Sequence, residues 1–236
     1  MLISYGASVN DGESVNVETP LSMACWKGSI KVMKLLINAG AHVDSVDTNS
    51  GPTINNAVRS GNIKTVELLM QSKALLSYEK NGPLEVAASL PDQTIFNFLM
   101  EKGKDQFQIH DYDAAFVSAA YAGNVEVFER MMVEHQQSNE VAQRALQQAT
   151  QETEWKIVKI ILENFKDLNC DDLFIAVATT SEDMDELLDT VWQYADGKIT
   201  QATLDAALYQ ATDNEKEATV RKLLDLGASP DATGEE

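Results

Sequence analysis

Three histidines, two cysteines and several groups of carboxylates are the residues in this 236-residue chain that could do chemistry. The histidines are His42, His110 and His135. No two of them stand at the H-x₃₋₅-H spacing of a zinc site, and neither Cys25 nor Cys170 lies near one in sequence. The stretch DSVDTNSG at 44–51 has the composition of a calcium loop. It fails on spacing: Val46 occupies the third ligand position, where an oxygen is needed, and Gly51 comes two residues late for the turn. The run Glu182, Asp183, Asp185, Glu186 and Asp189 straddles an expected helix start, where the helix dipole favours carboxylates for structural reasons alone. A glycine-rich phosphate loop, a G-x-S-x-G elbow and an H-E-x-x-H pair are all missing. The expectation is therefore no catalytic residue, no metal and no cofactor, and a chain that is not an enzyme.

The elements that would have to position any site are written into the chain as a repeat. Residues 19–44 read TPLSMACWKGSIKVMKLLINAGAHVD, and 52–77 read PTINNAVRSGNIKTVELLMQSKALLS. Ala24 matches Ala57, Gly28 matches Gly61, and Leu35-Leu36 matches Leu68-Leu69, each thirty-three residues on. A fixed period in this range predicts a stacked-repeat solenoid. Within one unit, Thr19 suits a helix N-cap and Pro20 the first helical turn. The first helix is short and stops near Gly28. A second helix carries Ile30, Val32, Met33, Leu35, Leu36 and Ile37, an apolar face wide enough to be buried between neighbours. Gly40 suits a C-cap, and the turn-rich stretch after it reads as a finger-like loop. Such a unit cannot bury its own apolar faces, so units must stack.

This unit resembles the ankyrin repeat. The family pattern is visible as TPLSMA at 19–24, GSIKVMKLL at 28–36 and GAHVD at 40–44. LISYGASVN at 2–10 looks like the tail of a preceding repeat, and LLDLGASPD at 223–231 like the same tail again. The resemblance is close over 1–77, looser over 82–134, and carried mainly by spacing over 135–222. The histidine of the family's TPLH box is replaced by Ser22, Asn55, Glu85 and Val117. Later units follow one ruler, an alanine near the end of the first helix and an apolar pair eleven residues on. Ala87 leads to Phe98-Leu99, Ala119 to Arg130-Met131, Ala149 to Ile160-Ile161, and Ala176 to Leu187-Leu188. Ala211 leads to Leu223-Leu224 with one extra residue. ALQQAT at 145–150 and ALYQAT at 207–212 echo each other in the same register. The resemblance implies an all-α, ankyrin-type helix-turn-helix solenoid with finger loops. It has about seven units and a partial one in front, with shortened fingers after residues 134 and 165. It reads as a single domain over 1–236, with regular repeats at 1–104 and degenerate, strongly acidic ones at 105–236.

Charge is lopsided. Residues 1–104 hold ten acidic and nine basic side chains, net −1, while 105–236 hold twenty-seven and nine, net −18, which together give the chain's −19. A surface of this sign repels phosphate backbones, so nucleic acid is not an expected partner. It would attract a basic protein, although acidic faces also simply keep a solenoid in solution. No apolar run approaches the roughly twenty residues of a membrane span, and no signal peptide is visible. Two cysteines in different units and no N-x-S/T sequon point to a reducing, intracellular setting, cytoplasmic or nuclear. The chain begins inside a repeat without a polar cap, which reads as part of a longer protein.

What the resemblance leaves for function is surface, since partners of such proteins lie against the concave side formed by fingers and first-helix ends. The second residue after each ruler alanine forms one row of that surface: Trp26, Arg59, Ser89, Tyr121, Gln151 and Ala178. Trp, Arg and Tyr are the types most enriched in binding hot spots. The alternative is that Trp26 and Tyr121 pack over neighbouring helices and Arg59 stacks on one of them. Trp155 and Trp192 fall on second helices and read as core. The expected function is a protein–protein interaction module that uses Trp26, Arg59, Ser89, Tyr121 and Gln151. Its rivals are a regulatory or inhibitory subunit of an enzyme, the recruiting segment of a larger catalytic protein, and an architectural spacer. Partner identity and oligomeric state are not legible.

Overall fold

A computed structural model describes residues 8–10, 18–47, 51–180 and 185–231. The expected tail of a preceding repeat at 2–10, the middle of the 44–51 stretch, and Glu182 and Asp183 of the acidic run lie wholly or largely outside the described residues. Fourteen helices stand in seven helix–turn–helix pairs among the described residues, the number the period predicts. The first-helix members are α1 (Pro20–Trp26), α3 (Thr53–Arg59), α5 (Pro83–Ala88), α7 (Ile109–Tyr121), α9 (Asn139–Gln151), α11 (Asp171–Thr179) and α13 (Gln201–Asp213). Their partners are α2 (Ile30–Asn38), α4 (Ile63–Gln71), α6 (Thr94–Lys102), α8 (Val125–Glu134), α10 (Trp155–Asn164), α12 (Asp185–Ala195) and α14 (Glu217–Asp225). A two-stranded antiparallel finger, β1 (Val46–Asp47) and β2 (Gly51–Pro52), joins α2 to α3. Contacts divide the chain into two compact units, one ending at Gln136 and one beginning at Gln137. The change of charge near residue 105 falls inside the first.

In the first unit the first helices pack side by side, α1 on α3, α3 on α5 and α5 on α7, with α2, α4 and α6 packed along the outside. In the second, α9 packs on α11 and α11 on α13. Small residues permit the close approach: Ala24, Ala57, Ala87, Ala119, Ala149 and Ala211 are all buried. The second helices send one residue of each ruler pair inward. Leu36, Leu69, Leu99, Met131, Ile161 and Leu223 are buried, each twelve residues after its alanine. The last unit thus needs no extra residue, since Leu224 is the exposed member. The sixth unit corrects the ruler. Val177 and Ala178 take the places of Ala149 and Thr150, so Ala176 is one residue early, and Leu187-Leu188 repeat the first-turn pair Ile157-Val158. The inward residue there is Val191.

Local signals behave as their chemistry requires. Thr19 Oγ1 accepts from the Ser22 N–H at 3.2 Å, with Pro20 opening α1. Fingers are tied forward by polar side chains. Asn10 Oδ1 accepts from the His42 N–H at 3.0 Å, and Asp44 Oδ1 from the Leu75 N–H at 2.7 Å. The buried Asn55 amide, in the place of the family histidine, donates to the Asn81 carbonyl at 2.8 Å.

The turn between the two helices of a pair requires a left-handed residue. Gly28, Gly61 and Gly123 fill it with φ of 65°, 68° and 66°. Thr153 and Glu215 hold the same position at 60° and 56°, with the same backbone bond to the residue three back. For a side chain bearing a Cβ this region costs about 1–2 kcal/mol, most for a β-branched residue. Thr153→Gly is therefore expected to raise unfolding stability by about 1 kcal/mol, and Gly123→Thr to lower it by at least as much. Chemical denaturation of both variants checks the pair, and equal midpoints would refute the strain.

Candidate functional site

The first-helix ends of the first unit form a hollow of about 390 Å³. Trp26, the last residue of α1, stands 47% exposed on it, beside Arg59 from the end of α3 and Ser89 capping α5. Asn81, Glu85 and Ser118 contribute polar lining that the sequence row did not include. Arg59 is half-buried, and that burial lowers its pKa from the ordinary 12.5 while the nearby Asp47 carboxylate in β1 works against the shift. A guanidinium remains charged under such a shift. The hollow therefore offers a half-exposed indole, a cation at the base of a finger, and the Glu85 carboxylate. Tyr121, 50% exposed at the end of α7, is not among its lining residues. Gln151 ends α9 in the second unit and lines a different hollow there. Ala178 is buried and leaves the row, for the register reason given above. Thr179 takes its place.

One cluster has the composition of a nucleophilic triad. Ser77 Oγ donates to Asp111 Oδ2 at 2.6 Å and lies 3.3 Å from His110 Nε2, which is itself 3.7 Å from the same carboxylate oxygen. In a working triad the serine proton faces one ring nitrogen and the carboxylate holds the other. Here both meet Nε2, and the hydroxyl proton goes to the carboxylate. Asp111 is buried and also accepts from the N–H groups of Tyr78 (3.4 Å) and Gln108 (2.8 Å). It is the capping-box residue of α7 and ties a finger to the next helix pair. His42 and His135 lie elsewhere, the latter stacked on Tyr112. Among the described residues, no three His, Cys, Asp or Glu converge as a metal site.

Cys25 and Cys170 are free thiols, both buried. Burial pushes Cys25 up to about 12, and burial with the Asp171 carboxylate pushes Cys170 up to about 11. Neither has the thiolate character of a nucleophile. Trp155 and Trp192 are half-buried rather than core. Trp192 packs on Phe174 at 5.9 Å, while Trp155 opens α10 and lines the same hollow as Gln151. No helix among the described residues is long and apolar enough to cross a membrane.

Residues 1–81 match the family model described as ankyrin repeats (3 copies). An ankyrin repeat protein of Rickettsia felis (strain ATCC VR-1525 / URRWXCal2) is 30% identical over 104 residues, which is 43% of this chain and 23% of that protein. The chain thus matches less than a quarter of the length of that relative. Among solved structures, the crystal structure of the human ASB11 ankyrin repeat domain is similar at a TM-score of 0.62 and 23% identity. The match covers 90% of this chain and all of that one, which shows the fold well beyond the stretch where the sequence pattern is regular.

Two outcomes follow from the buried polar and thiol groups. Asp111→Ala is expected to cost about 2–3 kcal/mol, because it strands several donors at once. Asp111→Asn, which keeps the acceptor oxygen, is expected to cost less, and urea titration of both distinguishes a cap from an idle carboxylate. Both thiols have raised folded-state pKa values. Their contribution is therefore fully present below the ordinary 9.0 and is lost as pH rises toward about 11 and 12, when only the unfolded chain ionises freely. Stability across pH 7–12 with and without Cys25→Ala measures this, and an identical alkaline loss in the variant would refute the Cys25 contribution.

Proposed function

Because the chain belongs to the ankyrin-repeat family, we propose that it is a protein–protein interaction module. It holds its partner against the concave surface formed by fingers and first helices, and it acts over 1–236 as a single ankyrin-repeat domain. Ankyrin repeats are in general interaction modules without catalysis of their own. The observation that carries the finer reading is the hollow where Trp26, Arg59 and Ser89 meet. A large indole stands half-exposed there beside a half-buried arginine. Those two residue types dominate binding hot spots. Tyr121 and Gln151 complete the proposed row. A pre-formed surface of this kind binds with little ordering cost. The chain's net charge of −19 favours a basic protein and disfavours nucleic acid.

Affinity capture with the whole chain, run in parallel with Trp26→Ala, tests this. A true hot spot loses about 2 kcal/mol or more of binding, while folding stability moves by only about 0.5 kcal/mol. Large loss of stability with capture intact would make Trp26 a core residue and refute the surface.

A further inference from the structure

Helix α9 carries an amide side chain every fourth residue: Asn139, Gln143, Gln147 and Gln151. At one turn's spacing these share a face. The first two rungs hold the chain's own backbone. Asn139 Nδ2 donates to the Lys166 carbonyl at 2.9 Å. Gln143 brackets Asn169, its Oε1 accepting the N–H at 2.7 Å and its Nε2 donating to the C=O at 3.0 Å. The chain segment before α11 therefore lies along the first half of the ladder. Gln147 and Gln151 continue the same face, but they meet a groove between α9 and α11 made of two adjoining hollows of about 260 and 500 Å³.

Thr150 lines both hollows. It is only 7% exposed, and its Oγ1 has no hydrogen-bond partner among the described residues. A buried hydroxyl left this way costs about 1–3 kcal/mol, so it marks a place where a polar group belongs. Asp172, exposed on α11, is the one charged side chain among the described residues that line the groove, and Trp155 flanks it. The helix dipole accounts for a carboxylate in the first turn of α11. It accounts for neither the unpartnered hydroxyl nor the exposed Gln147 amide; Gln151 Oε1 accepts from Gln148 Nε2 at 3.3 Å.

We propose that this groove binds an extended peptide segment carrying a lysine or arginine. Gln147 brackets one of its peptide units as Gln143 brackets Asn169, and Asp172 meets its cation. An extended segment is required because its N–H and C=O groups are free, whereas a helix satisfies its own. The second unit holds twenty-one acidic and eight basic residues, net −13, so a cationic segment is drawn in and an acidic one repelled. Trp155 offers an aromatic face to the cation or its aliphatic stem. The proposal rests on the protein-binding reading and adds to it the chemistry of the partner at a second place.

A random-peptide phage library selected on the whole chain tests it, followed by fluorescence-polarisation titration of the enriched peptides. Enriched peptides are expected to carry Lys or Arg and to shift the Trp155 indole resonance on binding. Asp172→Asn and Gln147→Ala, both at exposed positions, should each weaken binding about tenfold, while thermal unfolding shifts only by the small helix-dipole contribution of Asp172. Glu163→Gln makes the same charge change on an exposed residue outside the groove and should leave affinity within about twofold. Equal weakening by Glu163→Gln and Asp172→Asn would reduce the effect to bulk charge and overturn the proposal, as would enriched peptides without a cation. No selected peptide, with Trp26-dependent capture intact, overturns the groove and leaves the interaction module standing. Loss of both removes the module reading itself.

Discussion

The contact on which everything else depends is the close lateral packing of neighbouring first helices. A pair of short helices exposes too much apolar surface to stand alone, and it is covered only by the next pair. The approach is close because the inward residue is small: alanine in six of the seven first helices, and Val177 in α11. Larger side chains are confined to places where the second helices leave room, as with Phe116 and Phe128, stacked at 4.2 Å. Within each compact unit this spacing sets the first-helix ends side by side, which is how Trp26, Arg59 and Ser89 come to line one hollow.

That constraint explains what could be read from the sequence and what could not. Periodic small residues and inward leucines are imposed by packing, so the helix-pair architecture and the count of seven were legible even where identities had drifted. The ruler slipped where two signals compete. In α11 the run Ile175-Ala176-Val177-Ala178 offers several small or apolar residues in succession, and only burial shows that Val177 faces in. In α14 both members of Leu223-Leu224 are apolar, so spacing alone does not tell the inward Leu223 from the exposed Leu224. The hollow around Trp26, Arg59 and Ser89 lay on residues that the row picked out, but Asn81 and Glu85 come from positions with no distinctive pattern. The amides of α9 stood at a regular spacing in the sequence. Their meaning depended on which backbone ran beside them, and spacing alone does not carry that.

Polar side chains hold the connecting segments along the chain. Asn55 ties α3 to the loop that follows its own helix pair, through an amide, and Asp111 ties a finger to the next pair, through a carboxylate. Further along, Gln143 does comparable work on the Asn169 backbone. What is preserved is the satisfaction of the loop backbone, by whatever short polar group reaches it. Residue identity can therefore drift far while the helical scaffold persists.

The forward ties of the first unit have a mechanical consequence. Asn10 reaches the finger at His42, Asp44 reaches Leu75, and Ser77 reaches Asp111, so each bond spans only to the next repeat. Under tension along the chain, load is passed in series from one rung to the next. Extension would peel repeats away singly from an end, each at a modest force, and relaxation would let them re-dock one at a time. An array wired in this way yields like a spring of separate coils.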